Sequence, residues 1–310
     1  MKKLLKKLTR FLFPRSVFRF VQKVYQNVMI RYGFLKGRIK AIIRVKFNLP
    51  LKKTRSKINF EFHLAEHCNL NCASCDNFSP LAEPEYIDIE VFKRDLARMA
   101  EIFNHDECER IGFIGGEPLL YPDIENIFTT ARKIFPSCPL YIITNGLLLT
   151  QMKDSFWKSC RDNRIMIKIT HYPVKIDLPK IRGLAEKFGV ELDVNDEPIS
   201  MFRNEPVDLK GSGDYKINFA QCFRGNGCII LREGHLFTCT FAANIHHFNK
   251  RFGVNIPITE EDYVDIYDEK ITAGEILRRL ASPIPMCRFC NMRFKRIDWH
   301  QSERKIEEWT

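Results

Sequence analysis

Acidic residues are absent from the first 60 positions of this chain. That segment carries 18 Lys or Arg residues, and the first carboxylate is Glu61. The net charge of +11 therefore does not describe the whole chain, because residues 61–310 hold the other 31 basic side chains against all 38 acidic ones, a net charge of −7. We expect a strongly basic arm over residues 1–57, followed by a mildly acidic body.

Long hydrophobic runs are also absent from the arm. No apolar stretch approaches the roughly 20 residues that span a bilayer, and no small-residue cleavage site follows a clean apolar stretch. We therefore expect neither a spanning helix nor a secretory signal here. Apolar residues instead recur at helical spacing opposite basic ones, which predicts short amphipathic helices interrupted at Pro14 and Gly33. Two such stripes are Leu4, Leu5, Leu8, Phe11 and Leu12, and then Val17, Phe18, Val21, Val24, Tyr25 and Val28.

A basic arm with apolar stripes is typical of helices that lie in the plane of an anionic membrane. Each Lys or Arg near such a surface contributes about 1 kcal/mol, so we expect peripheral contact with an anionic membrane. Two alternatives remain open. The arm could pack on the acidic body as a cap, or it could bind nucleic-acid phosphates. Interleaved Leu, Phe and Val suit lipid better than phosphates, and we expect no nucleic-acid partner.

Three cysteines lie within eight residues, at Cys68, Cys72 and Cys75. Three thiolates on one short loop can hold three corners of an iron–sulfur cube and leave the fourth iron open. Some forty residues later, the turn Gly115-Gly116-Glu117-Pro118 offers bare backbone close to a ligand, since glycine has no side chain. A zinc site that takes His63 or His67 as fourth ligand is the alternative. Zinc sites, however, usually draw paired ligands from two knuckles.

Together the two motifs resemble the radical S-adenosylmethionine (radical SAM) superfamily. The resemblance implies that Cys68, Cys72 and Cys75 hold a [4Fe–4S] cluster whose open iron is chelated by the amino and carboxylate groups of S-adenosylmethionine. It also implies that the turn over residues 115–118 binds that amino group. One departure concerns the residue before the third cysteine, usually an aromatic that covers the adenine. Here it is Ser74, which weakens the expected adenine contact.

The remaining cysteines do not form a secreted disulfide framework. Eleven cysteines are present, and they are unevenly placed. We interpret Cys108, Cys138 and Cys160, which are scattered through the middle of the chain, as ordinary buried thiols. Thiolates that ligate iron must stay reduced, so we expect a cytoplasmic protein at the inner face of the membrane.

Strand and helix patterns alternate from Ile58 onward, which predicts a parallel sheet with crossover helices. The polar motifs follow strand ends, where (β/α) barrels build their sites. About five units are visible before the pattern breaks near Asp196. With the resemblance, this predicts an α/β fold with a partial (β/α)6 TIM-like barrel over residues 58–200. A small cysteine-rich iron–sulfur region is expected over residues 201–310.

Two further strand ends carry candidate site residues. Thr144 and Asn145 follow one predicted strand, and the resemblance implies a role in the S-adenosylmethionine or substrate pocket. A plain turn is the alternative, because Asn and Gly tolerate positive φ. Thr170, His171 and Tyr172 follow the next strand. We expect His171 to contact substrate as a catalytic candidate, with a structural histidine as the alternative.

A second cysteine group follows residue 201. Residues 229–237 predict a β-hairpin around Gly234, which would bring Cys222 and Cys239 together at its open end. Cys287 and Cys290 follow a predicted helix over residues 273–280, giving four thiolates for one closed site. The group resembles the Twitch domain, a shortened relative of the SPASM domain that holds an auxiliary [4Fe–4S] cluster in many radical SAM enzymes.

A full SPASM domain has about seven cysteines, and this region has five. We therefore predict one auxiliary cluster, with Cys228 either a spare thiol or a substitute ligand. A four-cysteine zinc site is the alternative that the spacing permits.

The resemblance implies an enzyme that cleaves S-adenosylmethionine to a 5′-deoxyadenosyl radical, which then takes hydrogen from a substrate C–H bond. A flavodoxin- or ferredoxin-type protein would donate the electron. Residues 66–69 and 241–245 resemble uncharacterised radical SAM proteins associated with cell-envelope polysaccharide biosynthesis. With the basic arm, this favours a sugar, nucleotide-sugar or lipid-linked glycan as substrate, and oxidation, epimerisation or dehydration as chemistry. The alternatives are a peptide or protein maturase and a non-enzymatic, membrane-associated Fe–S or zinc scaffold.

Overall fold

The computed structural model of this chain describes residues 32–199 and 201–310. By internal contacts the chain divides into two compact units, residues 1–49 and residues 50–310. In the first unit the described part contains a helix over residues 32–46. The two apolar stripes predicted between Leu4 and Val28 lie outside the described residues. Within the described ranges, none of the helices has both the length and the hydrophobicity needed to cross a membrane.

The second unit is built on a parallel sheet whose strands alternate with helices. Five adjacent parallel strands are β1 (Ile58–Ala65), β2 (Cys108–Gly115), β3 (Leu140–Thr144), β4 (Ile165–Ile169) and β5 (Leu192–Val194). The helices that connect them are α1 (Ile89–Ile102), α2 (Ile124–Ile134), α3 (Asp154–Asp162) and α4 (Leu178–Phe188). The predicted order of strands and helices is confirmed. Asp88 caps α1, and its side chain accepts hydrogen bonds from the backbone N–H groups of Glu90 and Val91.

The chain after residue 200 adds further strands and helices. The strands are β6 (Met201–Asn204), β7 (Ile230–Arg232), β8 (His235–Phe237), β9 (Tyr263–Asp265) and β10 (Lys295–Asp298), and the helices are α5 (Tyr215–Gln221), α6 (Thr240–Phe252) and α7 (Ala273–Leu280). The predicted hairpin is β7–β8, and its turn uses positive φ at Glu233 and Gly234. Helix α6 was not predicted. Strands β6 and β10 form a separate antiparallel pair.

The β7–β8–β9 strands extend the same sheet past β1, giving the order β5-β4-β3-β2-β1-β7-β8-β9. Strand β7 runs parallel to β1, and the N–H of Glu61 donates to the carbonyl of Ile229 at 2.9 Å. The predicted α/β class is confirmed with this sixth parallel strand. The strand joins the β1 edge of the sheet, whereas a barrel in chain order would place it beside β5. An ion pair of 2.6 Å between Arg232 and Glu66 helps to hold β7 there.

The two faces of the sheet differ in chemistry because side chains alternate along each strand. Phe60 and Phe62 lie in the apolar core with the connecting helices, and the Phe62 ring meets that of Phe92 on α1 at 4.7 Å. Glu61 faces the opposite way and accepts a 2.6 Å hydrogen bond from the hydroxyl of Tyr141. A Cβ at Gly112 would come within 2.5 Å of the Tyr141 ring, so glycine is needed beneath it. The second face is therefore polar.

Candidate functional site

A cavity of about 240 Å³ lies on this polar face, at the carboxyl ends of the parallel strands. It collects residues from β1 to β4 and from the region after residue 200. Its lining includes Cys68, Cys72, Cys75, Gly115, Gly116, Thr144, Asn145, Thr170, Tyr172, Phe202, Arg224 and Cys228. Most of the residues predicted for the first cysteine motif and the strand ends thus share one cavity.

The cysteine loop follows β1 and is held from the far end of the chain. The indole N–H of Trp299 donates to the sulfur of Cys72 at 3.1 Å. The indole N–H of Trp309, which is buried, donates to the carbonyl of Cys75 at 2.8 Å. Sequence reasoning missed both tryptophans. The chain has three tryptophans and two of them lie in its last twelve residues, but nothing in their spacing links them to the cysteine loop.

Of the three thiols of the loop, Cys72 is buried and Cys68 and Cys75 are partly buried. Burial, together with the neighbouring thiols, raises the pKa of Cys72 to about 11 and the pKa of Cys75 to about 12. Three thiolates in such a place need a cationic centre to offset their charge. Neither His63 nor His67 lines the cavity, which leaves the zinc alternative without its proposed fourth ligand. The donor set fits an iron–sulfur cluster with one open iron.

The two glycines of the turn are required by close backbone approach. Gly115 has a φ of +140°, and a Cβ there would lie 2.2 Å from the carbonyl oxygen of Ala65. A Cβ on Gly116 would lie 2.1 Å from the carbonyl oxygen of His67. Both glycines therefore bring the end of β2 against the start of the cysteine loop, and both also border the cavity.

Glu117 has a different place from the one its motif suggested. Its buried carboxylate accepts hydrogen bonds from the Thr144 hydroxyl at 2.7 Å and from the N–H groups of Asn145 at 2.9 Å and Leu119 at 3.1 Å. It is not among the residues that line the cavity. Burial raises the pKa of Glu117 to about 7, although these three donors pull it down. The carboxylate thus joins two strand ends, while Pro118 begins the short 3₁₀ helix Pro118–Leu120 beside it.

Asn145 links the third strand end to the cysteine loop. Its side-chain amide donates to Asn69 Oδ1 at 2.7 Å and lies 3.8 Å from the sulfur of Cys68. Its side-chain oxygen Oδ1 accepts from the N–H of Leu147 at 2.9 Å, which closes a turn. The amide therefore orients the first cysteine as well as the turn. Asn145 thus closes a turn and also lines the cavity.

Ser74 stands where the superfamily carries an aromatic residue. Its hydroxyl donates to the carbonyl of Glu308 at 2.6 Å and accepts from the side-chain amide of Asn204 at 3.0 Å. Ser74 is buried with a φ of +56°, in the left-handed region. The position thus anchors the C-terminal segment to the loop. Aromatic surface in the cavity comes instead from Tyr172 and Phe202, whose rings are 5.9 Å apart.

His171 does not lie where a catalytic residue was expected. Its neighbours Thr170 and Tyr172 line the cavity and His171 does not. Its ring Nδ1 pairs with the carbonyl of Asn195 at 3.1 Å, and its own carbonyl accepts from the N–H of Ile199. Adjacent side chains of an extended segment point to opposite sides, so this position corresponds to the structural alternative.

Four of the five C-terminal cysteines meet at a second, smaller cavity. Cys222 ends α5, Cys239 precedes α6, and Cys287 and Cys290 belong to the turn of the 3₁₀ helix Pro285–Phe289. The side-chain amide of Asn218 donates to the carbonyls of Cys287 and Cys290 at 3.0 and 2.9 Å. Four convergent thiols can hold a closed iron–sulfur cluster or a zinc ion.

Cys228 is not among the residues that line this second cavity, and it lines the first cavity together with Glu61 and Arg224. Burial and the Glu61 carboxylate raise the pKa of this thiol. Arg224 is itself held by Asp76, which directly follows the third cysteine of the loop, and by Glu205 at 3.0 Å. The fifth thiol thus belongs to the surroundings of the first three.

The fold and the site together define a class, an α/β domain with a three-cysteine iron–sulfur motif at the strand ends. Residues 63–187 match the model of the radical SAM superfamily. They form a radical SAM domain. Domains of this superfamily bind a [4Fe–4S] cluster and S-adenosylmethionine, and the thiols, glycine turn and strand ends of the first cavity fit this pair.

Similar proteins include GTP 3′,8-cyclases. The chain is 32% identical over 177 residues to the probable GTP 3′,8-cyclase of Methanocella arvoryzae, covering 47% of this chain and 53% of that protein. It is 29% identical over 180 residues to the GTP 3′,8-cyclase of Clostridium botulinum strain Okra, covering 54% and 53%. The chain thus spans about half the length of these relatives. One similar structure is BtrN in complex with AdoMet and 2-DOIA, at 17% identity and a TM-score of 0.47, covering 78% of this chain and 95% of that one.

Proposed function

We propose that this protein is a radical SAM enzyme that cleaves S-adenosylmethionine reductively and removes hydrogen from a substrate C–H bond. One observation carries the proposal: the three thiols of the loop, the glycine turn and two further strand ends border the same cavity. When bound, the cluster supplies the electron for cleavage. A flavodoxin- or ferredoxin-type protein would deliver that electron.

The protein's own residues would hold and shield this chemistry. Cys68, Cys72 and Cys75 would ligate the cluster. Hydrogen bonds from Trp299 to the Cys72 sulfur and from Asn145 near the Cys68 sulfur would stabilise thiolates in a buried site. Residues 299–309 close over the loop through backbone bonds, such as Ala73 N–H to His300 O at 3.0 Å, and so exclude water.

The substrate that we propose is a sugar, a nucleotide-sugar or a lipid-linked glycan of the cell envelope. The polar face beneath the cavity supports a hydroxylated substrate, because Glu61 and Tyr141 form a partly buried acid–phenol pair there. The Lys168 ammonium lies 5.0 Å from the Tyr141 ring centre. Two of the similar proteins are named for the nucleotide GTP, and a nucleotide-sugar also contains a nucleotide. Oxidation, epimerisation or dehydration at a C–OH carbon would follow.

The proposed reaction can be tested before the substrate is known. With dithionite and S-adenosylmethionine, the reconstituted protein should form 5′-deoxyadenosine, measured by liquid chromatography and mass spectrometry. The variant with Cys68, Cys72 and Cys75 all changed to Ala should form none. His171→Ala should retain cleavage, since that ring faces away from the cavity. Intact clusters in the wild-type protein without any 5′-deoxyadenosine would contradict the enzyme proposal.

The substrate class needs its own measurement. Cell-envelope metabolites of a deletion strain should be compared with the parent by mass spectrometry. Glycan intermediates that shift by the mass of hydrogen or of water would support the proposal. Unchanged glycans with an altered peptide would favour the maturase alternative.

We also propose that Cys222, Cys239, Cys287 and Cys290 hold one auxiliary [4Fe–4S] cluster in a Twitch-like arrangement. Four converging thiols and the Asn218 clamp support this proposal. A cluster ligated by four cysteines has no open iron for substrate, so its role would be electron transfer or structure. Zinc in the same site is the alternative outcome.

Peripheral contact with an anionic membrane is the last part of the proposal. The helix over residues 32–46 supports it, because its exposed side carries apolar residues at helical spacing with exposed lysines beside them. The apolar residues are Tyr32, Leu35, Ile39, Ile42 and Ile43, and the lysines are Lys36 and Lys40.

A further inference from the structure

A second large cavity, of about 620 Å³, shares none of its lining with the cavity of the cysteine loop. One wall is the segment over residues 52–57, which leads into β1. The other wall is the loop around Gly225, Asn226 and Gly227, with Phe223 and Glu109 at the sides. The function proposed above uses none of these residues.

Hydrogen bonds connect the two walls of this cavity, so its shape is defined by specific contacts between them. The Asn226 side-chain amide donates to the carbonyl of Lys53 at 3.2 Å, and Arg55 Nε donates to the carbonyl of Asn226 at 2.9 Å. The ammonium of Lys52 donates to the carbonyl of Cys222. These three bonds fix the basic segment along the loop.

The lining is strongly cationic. Among the residues that the structure describes, it holds four cations, Lys52, Lys53, Arg55 and Lys57, against the single carboxylate of Glu109. Arg55 pairs with that carboxylate at 3.0 Å, and its planar fork has further N–H donors. Lys53 and Lys57 are exposed, and the hydroxyls of Thr54 and Ser56 lie between them. Ammonium, guanidinium and hydroxyl donors in one cavity match the oxygens of a phosphate group.

We propose that this cavity is a binding site for a phosphate group, either a phosphate or a diphosphate ester. The inference does not rest on the radical chemistry proposed above. The ligand's charge would be matched by Lys53 and Lys57, and Arg55 would add its remaining donors. Glu109 would oppose binding, since it places a negative charge at the cavity and occupies one side of the Arg55 fork.

The full-length, reconstituted protein should bind inorganic pyrophosphate saturably, with one site per chain, in isothermal titration calorimetry. The double variant Lys53→Gln, Lys57→Gln should weaken binding about tenfold or more, because two charge-assisted contacts are lost. A matched control, Lys158→Gln with Lys180→Gln, removes the same charge from exposed positions outside the cavity and should change affinity less than about twofold.

Glu109→Gln separates a real site from a merely basic surface. It should tighten pyrophosphate binding by on the order of threefold, because a competing carboxylate is removed. A gain of affinity cannot come from misfolding. Non-saturable binding, equal losses in the two lysine double variants, or an unchanged affinity in Glu109→Gln would each overturn the proposal.

The source of the phosphate is resolved by competition. Vesicles containing phosphatidic acid should displace pyrophosphate if a lipid headgroup enters the cavity, and the Lys53→Gln, Lys57→Gln variant should then bind those vesicles more weakly than the control variant. If pyrophosphate binding persists unchanged with vesicles present, the site takes phosphate from a soluble molecule.

Discussion

Substituting the cysteines of one group at a time should show that the protein holds two separate clusters. The number of irons bound per chain measures this. The structure gives three thiols to the first cavity's loop and four to the second, and it leaves Cys228 outside the four. Two four-iron clusters predict about eight irons per chain after anaerobic reconstitution. Changing Cys68, Cys72 and Cys75 to Ala should leave about four irons, and Cys239→Ala should also leave about four, because each variant loses one cluster.

Cys228→Ala is the matched control for these variants. Like Cys239→Ala, it removes one thiol from the C-terminal region. The wild-type count of about eight irons should nevertheless remain. Iron and acid-labile sulfide should be quantified together, with zinc measured in the same samples by mass spectrometry. The difference between Cys239→Ala and Cys228→Ala then tests the grouping of the thiols directly.

Two results would refute this reasoning. A loss of about four irons in Cys228→Ala would mean that the fifth cysteine is a ligand and that the geometry of the second cavity is wrong. The second result is a wild-type protein with about four irons and one zinc per chain, together with a triple variant that keeps the zinc and loses the iron. This result would mean that the second site is a zinc site.

Two further predictions concern a buried ion network and the basic arm. Burial by itself raises the pKa of Glu66. The hydrogen bond from His247, with His63 at 3.7 Å and the Arg232 guanidinium at 2.6 Å, outweighs burial and holds the pKa well below the ordinary 4.5. The stability from this carboxylate is present above about pH 4.5 and is lost as the pH falls below it. Glu66→Gln should therefore cost about 3–5 kcal/mol of unfolding free energy at pH 7 in chemical denaturation, and the gap to wild type should narrow in acid; a pH-independent gap would argue against the ionised network. The full-length protein should sediment with anionic liposomes and not with neutral ones, less so as salt rises, and Leu35→Ser with Ile39→Ser should weaken this binding. A chain starting at residue 50, where the second compact unit begins, should stay soluble and still cleave S-adenosylmethionine; aggregation or loss of its clusters would instead support the packed-cap alternative for the arm.

Several features of this protein could be predicted from the sequence because they depend on local spacing. Strand and helix order followed from hydrophobic periodicity, and the hairpin followed from the Glu233-Gly234 turn, which needs positive φ. The cysteine triplet and the glycine turn are short motifs on adjacent strand ends. Since β1 and β2 pair in parallel, their ends had to meet.

Contacts between distant parts of the chain could not be predicted. Trp299 reaches the Cys72 sulfur across 227 positions, and no local pattern marks that pairing. Whether His171 or Tyr172 faces the cavity depends on the direction of one side chain, which the residue types alone leave open. Glu117 belongs to a motif that suggested a cofactor contact, yet burial and three donors make it a link between strand ends.

The sequence by itself determined the charge division at Glu61, the alternation of strands and helices, and the presence of two separate cysteine groups. Only the tertiary structure decided which thiols share a site. Cys222 and Cys228 are six positions apart, but the chain between them turns, so that one lines the small four-thiol cavity and the other the cavity beneath the cysteine loop. Strand β7, which follows that turn, pairs with β1 and so joins the main sheet. Such pairing depends on long-range packing, which residue spacing does not encode.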